Sequence, residues 1–192
     1  MANTNNMNVV EEPVEMKPYR NQLRITGAWI LPGNFRNFIG EDRYGSGRGE
    51  TQPYFTVDLS RSRRIEVGSE EFGWRDATIE DLIDYGWRVK EGLPNPNDPD
   101  AEPSWRLKVN LGFDSMYTKP KVKTYTPDSD MPTELTKETV GVLDKAFIEK
   151  ANLILNPSKR RIPGDGMRSA YVVVAHFHIR NTNRSASFDD WE

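Results

Sequence analysis

Two histidines, His176 and His178, stand two positions apart in the apolar run SAYVVVAHFHI at residues 169–179. In a strand that spacing puts both imidazoles on one face, the arrangement a metal or a shared proton would need. A metal site also needs a third and usually a fourth ligand with partners to orient them, and the next acids along the chain are Asp189 and Asp190. The expectation is no metal and no cofactor. The chain has no cysteine, which excludes disulfides, thiolate nucleophiles, Cys-ligated zinc and iron–sulfur clusters, and fits a reducing, cytoplasmic setting. Phosphate-loop, dinucleotide, nucleophile-elbow and zinc-protease motifs are missing as well. Gly45-Ser46-Gly47-Arg48-Gly49 is glycine-rich but opens no helix and carries no loop lysine. The adjacent acids Glu70-Glu71 and Asp189-Asp190 lie in polar segments, where they read as solvated surface. No catalytic residue emerges, and the chain reads as a non-enzyme.

Basic and aromatic residues, in contrast, interleave repeatedly. Phe35, Arg36 and Phe38 lead into Arg43, Tyr44 and Arg48; Tyr54 follows; Lys121 and Lys123 stand with Lys119 and Tyr125; Arg160 and Arg161 stand with Lys159, Arg168 and Tyr171. Single-stranded nucleic acid calls for this mixture, because cations track phosphates while exposed rings stack on bases, each stack contributing about 1–3 kcal/mol. Phe35, Phe38 and Tyr44, in a glycine-rich loop, are read as binding groups. Trp29, Phe55, Trp105 and Phe113, at inward periodic positions, are read as core.

These groups need elements to position them. The 192 residues suit one domain, and five Trp, seven Tyr and eight Phe provide an aromatic core despite a mean hydropathy of −0.73. No apolar run approaches a membrane span, and the N-terminus has no basic segment followed by an apolar one. The formal net charge of −3 is unevenly spread, since residues 1–18 and residues 181–192 each contribute a net −2 and leave the body at +1. Residues 1–18 read as a flexible acidic arm, residues 19–180 as the folded domain, and residues 181–192 as a flexible tail. Its tip, Phe188-Asp189-Asp190-Trp191-Glu192, is acidic and aromatic and suits a peptide ligand for a partner.

Within the body, residues 23–31, 53–59, 105–113, 119–125, 152–156 and 169–179 read as strands from their β-branched content or alternation. Along 105–113 the alternation sets Trp105, Leu107, Val109, Leu111 and Phe113 against Arg106, Lys108 and Asn110. Thr78 and Asp81 form a capping-box variant opening a short helix that ends at Gly86, and a second helix is predicted over 137–150 with Thr136 as N-cap. Prolines exclude 92–103 from a helix or central strand. So many strands with irregular connections favour a mainly β, OB-type barrel of five strands plus one, with one inter-strand helix and long loops.

The order of several blocks resembles the single-stranded DNA-binding proteins encoded by tailed bacteriophages, which have an OB-fold. These are Ile25-Thr26-Gly27-Ala28, Phe35-Arg36-Asn37-Phe38-Ile39-Gly40, Gly86-Trp87-Arg88-Val89-Lys90, Leu107-Lys108-Val109, Pro120-Lys121-Val122, Leu143-Asp144 and Ala170-Tyr171-Val172. The resemblance covers about residues 23–179. It departs at Pro53-Tyr54-Phe55, where the family tends to carry a second Arg-Asn-Phe, and in the length of the proline-rich loop and of the 61–73 insertion. It implies non-sequence-specific ssDNA binding in support of phage replication or recombination, in the cytoplasm of the infected bacterial host, with partner proteins recruited by the tail. Two other readings stand beside it: a protein-interaction or virion-associated barrel without nucleic-acid binding, and a small metal-dependent enzyme built on His176 and His178. Monomer and dimer are both open.

Overall fold

The computed structural model describes residues 12–42, 52–92, 97–98, 100, 103–115, 119–159, 161–162, 164 and 166–180. Five strands close a mixed barrel: β1 (Leu23–Ile30), β3 (Tyr54–Asp58), β7 (Ser104–Asn110), β11 (Ala170–Ile179) and β10 (Ile148–Pro157). In the ring β1–β3–β7–β11–β10, which returns to β1, the β7–β11 contact is parallel and the other pairings are antiparallel. This connectivity is consistent with an OB-fold, as the strand alternation and the family resemblance lead one to expect.

Closure depends on one residue of β1. The first half of β1 pairs with β10, from Leu23 opposite Leu155 to Ala28 opposite Ala151, while Trp29 and Ile30 pair with Asp58 and Val57 of β3. Between them the register shifts at Gly27, which sits at φ +62 and receives the Asn152 Oδ1 acceptor on its N–H at 2.9 Å. A Cβ there would lie 2.9 Å from the Arg63 Cβ, so glycine is required both for the left-handed backbone and for the space. The bulge also reverses the alternation. Ile25, Ala28 and Ile30 face the core, and Trp29, expected inside, is 39% exposed on the outer surface.

Leu107, Val109 and Leu111 are fully buried, with Trp105 and Phe113 packed against them, as the alternation predicts. Three rings seal the barrel interior. Phe38 stacks on Phe55 with centroids 5.4 Å apart, and Phe177 meets both edge-on at 5.5 and 5.3 Å. Phe38 directly follows a 3-10 turn (Gly33–Phe35) and a short strand, β2 (Arg36–Asn37), whose residues pair with Phe55 and Tyr54 of β3.

Among the described residues, five further strands and one α-helix decorate the barrel. The hairpin β4 (Arg64–Ser69) and β5 (Gly73–Asp76) extends the sheet beyond β1, which the polar sequence there does not suggest. α1 (Ile79–Asp84) opens with the expected capping box: the Thr78 hydroxyl accepts the Asp81 N–H at 3.1 Å, and the Asp81 carboxylate accepts the Thr78 N–H at 2.8 Å. β6 (Val89–Gly92) then pairs with β7, and the hairpin of β8 (Lys121–Tyr125) with β9 (Thr133–Leu135) joins β11 through β8.

The predicted helix over 137–150 does not form. A 3-10 turn covers Val140–Asp144, and β10 begins at Ile148. Thr139, Val140 and Val142 are β-branched and flank Gly141, so the segment has weak helix propensity. Asp144 is moreover drawn to the backbone N–H groups of Phe38 and Ile39, at 2.8 and 3.0 Å. The expected arm also differs over residues 12–18. Val14 is 8% exposed against Ile154 and Val173, and the Met16 carbonyl accepts the Trp74 indole N–H at 3.0 Å, so this part is docked on the barrel. The tail, with Phe188, Asp189, Asp190, Trp191 and Glu192, lies outside the described residues, as do Arg43, Tyr44, Arg48 and Arg160.

Candidate nucleic-acid interface

Strand registers place polar and aromatic side chains in rows across the outer surface of β1, β3, β7 and β6. One row runs Trp29, Asp58, Arg106, Lys90; the next holds Thr56 and Lys108; the third runs Asn37, Tyr54, Asn110, Tyr171. Alternation sets them on the side away from the core, because Val57, Leu107 and Val109, between them, are fully buried, although Asn37, Thr56 and Asp58 are themselves covered there. Trp87 anchors β6 at 1% exposure, with its N–H on the Leu82 carbonyl of α1 at 3.0 Å, which leaves Arg88 and Lys90 beside the β7 cations.

Rings and cations on this surface meet directly. The Lys108 ammonium lies 4.3 Å from the Tyr54 ring centroid, the Arg106 guanidinium 4.6 Å from that of Phe35, and the Arg61 guanidinium 5.5 Å from that of Trp29. The Tyr54 hydroxyl donates to the Asn34 carbonyl at 3.2 Å, which fixes the ring and holds the 3-10 turn bearing Phe35 over the sheet. Lys108 sits below the usual lysine range, first because it is desolvated and second because Arg88 and Lys90 repel it. Cations crowded against one another this way favour an anion among them. Asp58, the acid of these rows, is 2% exposed, accepts the Ser60 N–H at 3.0 Å and pairs with Arg61 at 3.6 Å. Its charge is thereby spent inside the protein.

The loop between β10 and β11 borders the rows. Arg168 forms an isolated bridge to Trp87, and its guanidinium donates to the Ser158 and Lys159 carbonyls at 2.6 and 2.8 Å, so it shapes the loop. Arg161 is exposed beside Gly86 and donates to the Gly166 carbonyl at 2.8 Å. Lys121 and Lys123 lie on β8, exposed and half-buried respectively.

Two residues expected in the interface are structural instead. Arg36 is 6% exposed, and its guanidinium donates to the carbonyls of Leu31 at 2.9 Å, Leu143 at 3.3 Å and Ala146 at 2.8 Å. Burial lowers its pKa from the usual arginine value, with the Asp144 charge opposing that shift. Phe38 is fully buried and offers no face to a base. The intervening Asn37 closes the same turn, its Oδ1 accepting the Gly40 and Glu41 N–H groups at 3.1 and 3.0 Å. The whole Arg-Asn-Phe block is a clamp for the base of the loop. Conversely, Trp29, Arg61, Arg88, Lys90, Arg106 and Lys108 were not anticipated as site residues. The outward positions of Arg106 and Lys108 are legible in the alternation, whereas that of Trp29 is not.

Residues 14–190 match the family model described as "Putative phage ssDNA-binding domain". Neither a curated protein nor a solved structure matches the chain. The family match takes in the barrel, the docked segment at Val14 and the rows of cations and rings alike, and the chain belongs to this phage ssDNA-binding domain family.

Proposed function

We propose that the protein binds single-stranded DNA without sequence preference, on the outer surface of β1, β3, β7 and β6. Trp29, Phe35 and Tyr54 stack on bases, and Arg61, Arg88, Lys90, Arg106 and Lys108 hold phosphates. The observation that carries this reading is the set of three ring–cation pairs on one barrel face, at 4.3, 4.6 and 5.5 Å. Arg161 adds a cation beside this surface, and Arg43, Tyr44, Arg48 and Arg160 are further candidates for DNA contact on their residue types alone. No chemistry is performed on the DNA. The protein covers strands exposed during phage replication or recombination in the host cytoplasm, and the tail tip at residues 188–192 recruits partner proteins.

The test is intrinsic fluorescence titrated with unlabelled oligo-dT at low and high salt. Quenching that saturates at a fixed number of nucleotides, weakens with salt, and is lost in Tyr54→Ala/Lys108→Ala supports the reading. Flat fluorescence together with no mobility shift of labelled DNA overturns it and favours the protein-interaction barrel, for which an apolar patch would be expected where these rows carry charge.

A further inference from the structure

Two strands lie end to end along one edge of β11 and run in its direction. β7 pairs with Ala170 and Tyr171, and β8 takes the same edge from Val174 to His178. Buried residues fix which way each faces. Val109 lies opposite Ala170 and Val122 opposite Ala175, all four fully buried, so Lys108 on β7 and Lys121, Lys123 and Tyr125 on β8 project from the outside of the barrel. The cationic line of β7 therefore continues on β8, a strand of the decorating hairpin and not of the five-strand ring.

The outer side of β8 also carries rings. Tyr125 stacks on His178 with centroids 5.0 Å apart and planes 15° from parallel, and meets His176 at 5.3 Å and 61°. Desolvation lowers both imidazole pKa values, His178 to about 4, with Lys123 adding to the shift at His176 and His176 to that at His178. Near neutral pH both imidazoles are neutral; His178 is buried beneath Tyr125, and the half-buried Tyr125 and His176 are the rings left open beside the lysines. Lys150 stands opposite His178 in the register, while Glu134 stands opposite Lys123 and Glu149 is bonded to Arg180 at 2.7 Å. Cations thus outnumber acids around the cluster.

We infer that β8 forms a second sector of the ssDNA site: DNA leaving Lys108 follows the same edge of β11 to Lys121 and Lys123, and a base stacks at the Tyr125–His178–His176 cluster. This rests on the ssDNA-binding reading above and adds a path to it. His176 is five residues beyond Tyr171 on β11, about 17 Å along an extended strand, so a short oligonucleotide reaches one sector and a longer one spans both.

The experiment uses the full chain and oligo-dT of about 4 and about 16 nucleotides, the two ends of the range for OB-folds. Lys121→Ala/Lys123→Ala is expected to bind the short oligomer as the parent does, while its salt slope on the long one falls by about 1.4, or about 0.7 per lysine. Tyr125→Leu is expected to weaken the long oligomer alone, about five- to a hundredfold. Since Tyr125 also covers His178, the lysine variant decides the matter if Tyr125→Leu folds poorly. Unchanged slope and affinity for the long oligomer in the lysine variant, with Tyr54→Ala/Lys108→Ala still weakening both lengths, would overturn the second sector and leave the first standing. Parent protein that binds neither oligomer removes the ssDNA reading and the second sector with it.

Discussion

Arg36-Asn37-Phe38 and Arg106-Leu107-Lys108 use similar residue types, and the barrel puts them to opposite uses. In the first block the guanidinium is 6% exposed and its donors are taken by three carbonyls, while the ring is fully buried between Phe55 and Phe177. In the second, Leu107 faces the core and the two cations lie outside against the rings of Phe35 and Tyr54. A basic-aromatic sequence therefore does not by itself mark a binding surface. What decides is whether the cation's hydrogen bonds are already satisfied within the protein.

The sharpest test of that contrast is Phe38→Ala, which opens a cavity in the three-ring cluster. A loss of about 3–5 kcal/mol is expected in chemical denaturation, with DNA affinity of the folded fraction little changed. Arg36→Ala should come next, at about 2–4 kcal/mol of stability, because it strands three carbonyls and leaves Asp144 without its neighbouring cation. The contrast breaks if either variant flattens the salt dependence of DNA binding while keeping parental stability.

An effect of similar or smaller size is set by pH. His178 is held near pKa 4 against an ordinary value of 6.5, so the unfolded chain takes up the proton first as pH falls. Stability contributed by the neutral, stacked imidazole is complete above about pH 6.5 and declines toward pH 4, by at most about 3 kcal/mol. Thermal melts of the parent and of His178→Phe across that window should diverge in slope, and parallel curves would refute the assignment. On the outer face, Tyr54→Ala should weaken oligo-dT binding by about 1–3 kcal/mol with much less effect on folding. Smallest of all, Lys90→Ala is expected to lower the salt slope by about 0.7 and leave the melting temperature unchanged.

Much of the barrel can be read from alternation. Residues 53–59 contain β3 and residues 105–113 overlap all but the first residue of β7, both with the anticipated core faces, and the Thr78–Asp81 box marks the helix. Alternation fails where the backbone departs from regularity. Trp29 looks internal because its position follows the same period as Ile25, but the bulge at Gly27 inserts one extra residue and shifts the period. The segment over 137–150 shows a helical apolar stripe, yet a tertiary demand on Asp144 and the flanking β-branched residues override it. The site was harder to read for a different reason: a polar glycine-rich loop attracts attention as a binding element, whereas Arg106 and Lys108 sit inside the most regular strand.

Gly27 acts as a phase inverter in the hydropathic code of β1. Upstream of it odd-numbered side chains face the interior, at Leu23 and Ile25; downstream the even-numbered ones do, at Ala28 and Ile30. The same dihedral that lets β1 turn from β10 to β3 also delivers an indole to the surface beside Arg61. Barrel closure and the display of Trp29 are therefore one event, and selection acting on either constrains the other. A residue inserted or deleted next to position 27 would leave composition almost untouched while exchanging the inside and outside of the strand's last turn toward β3.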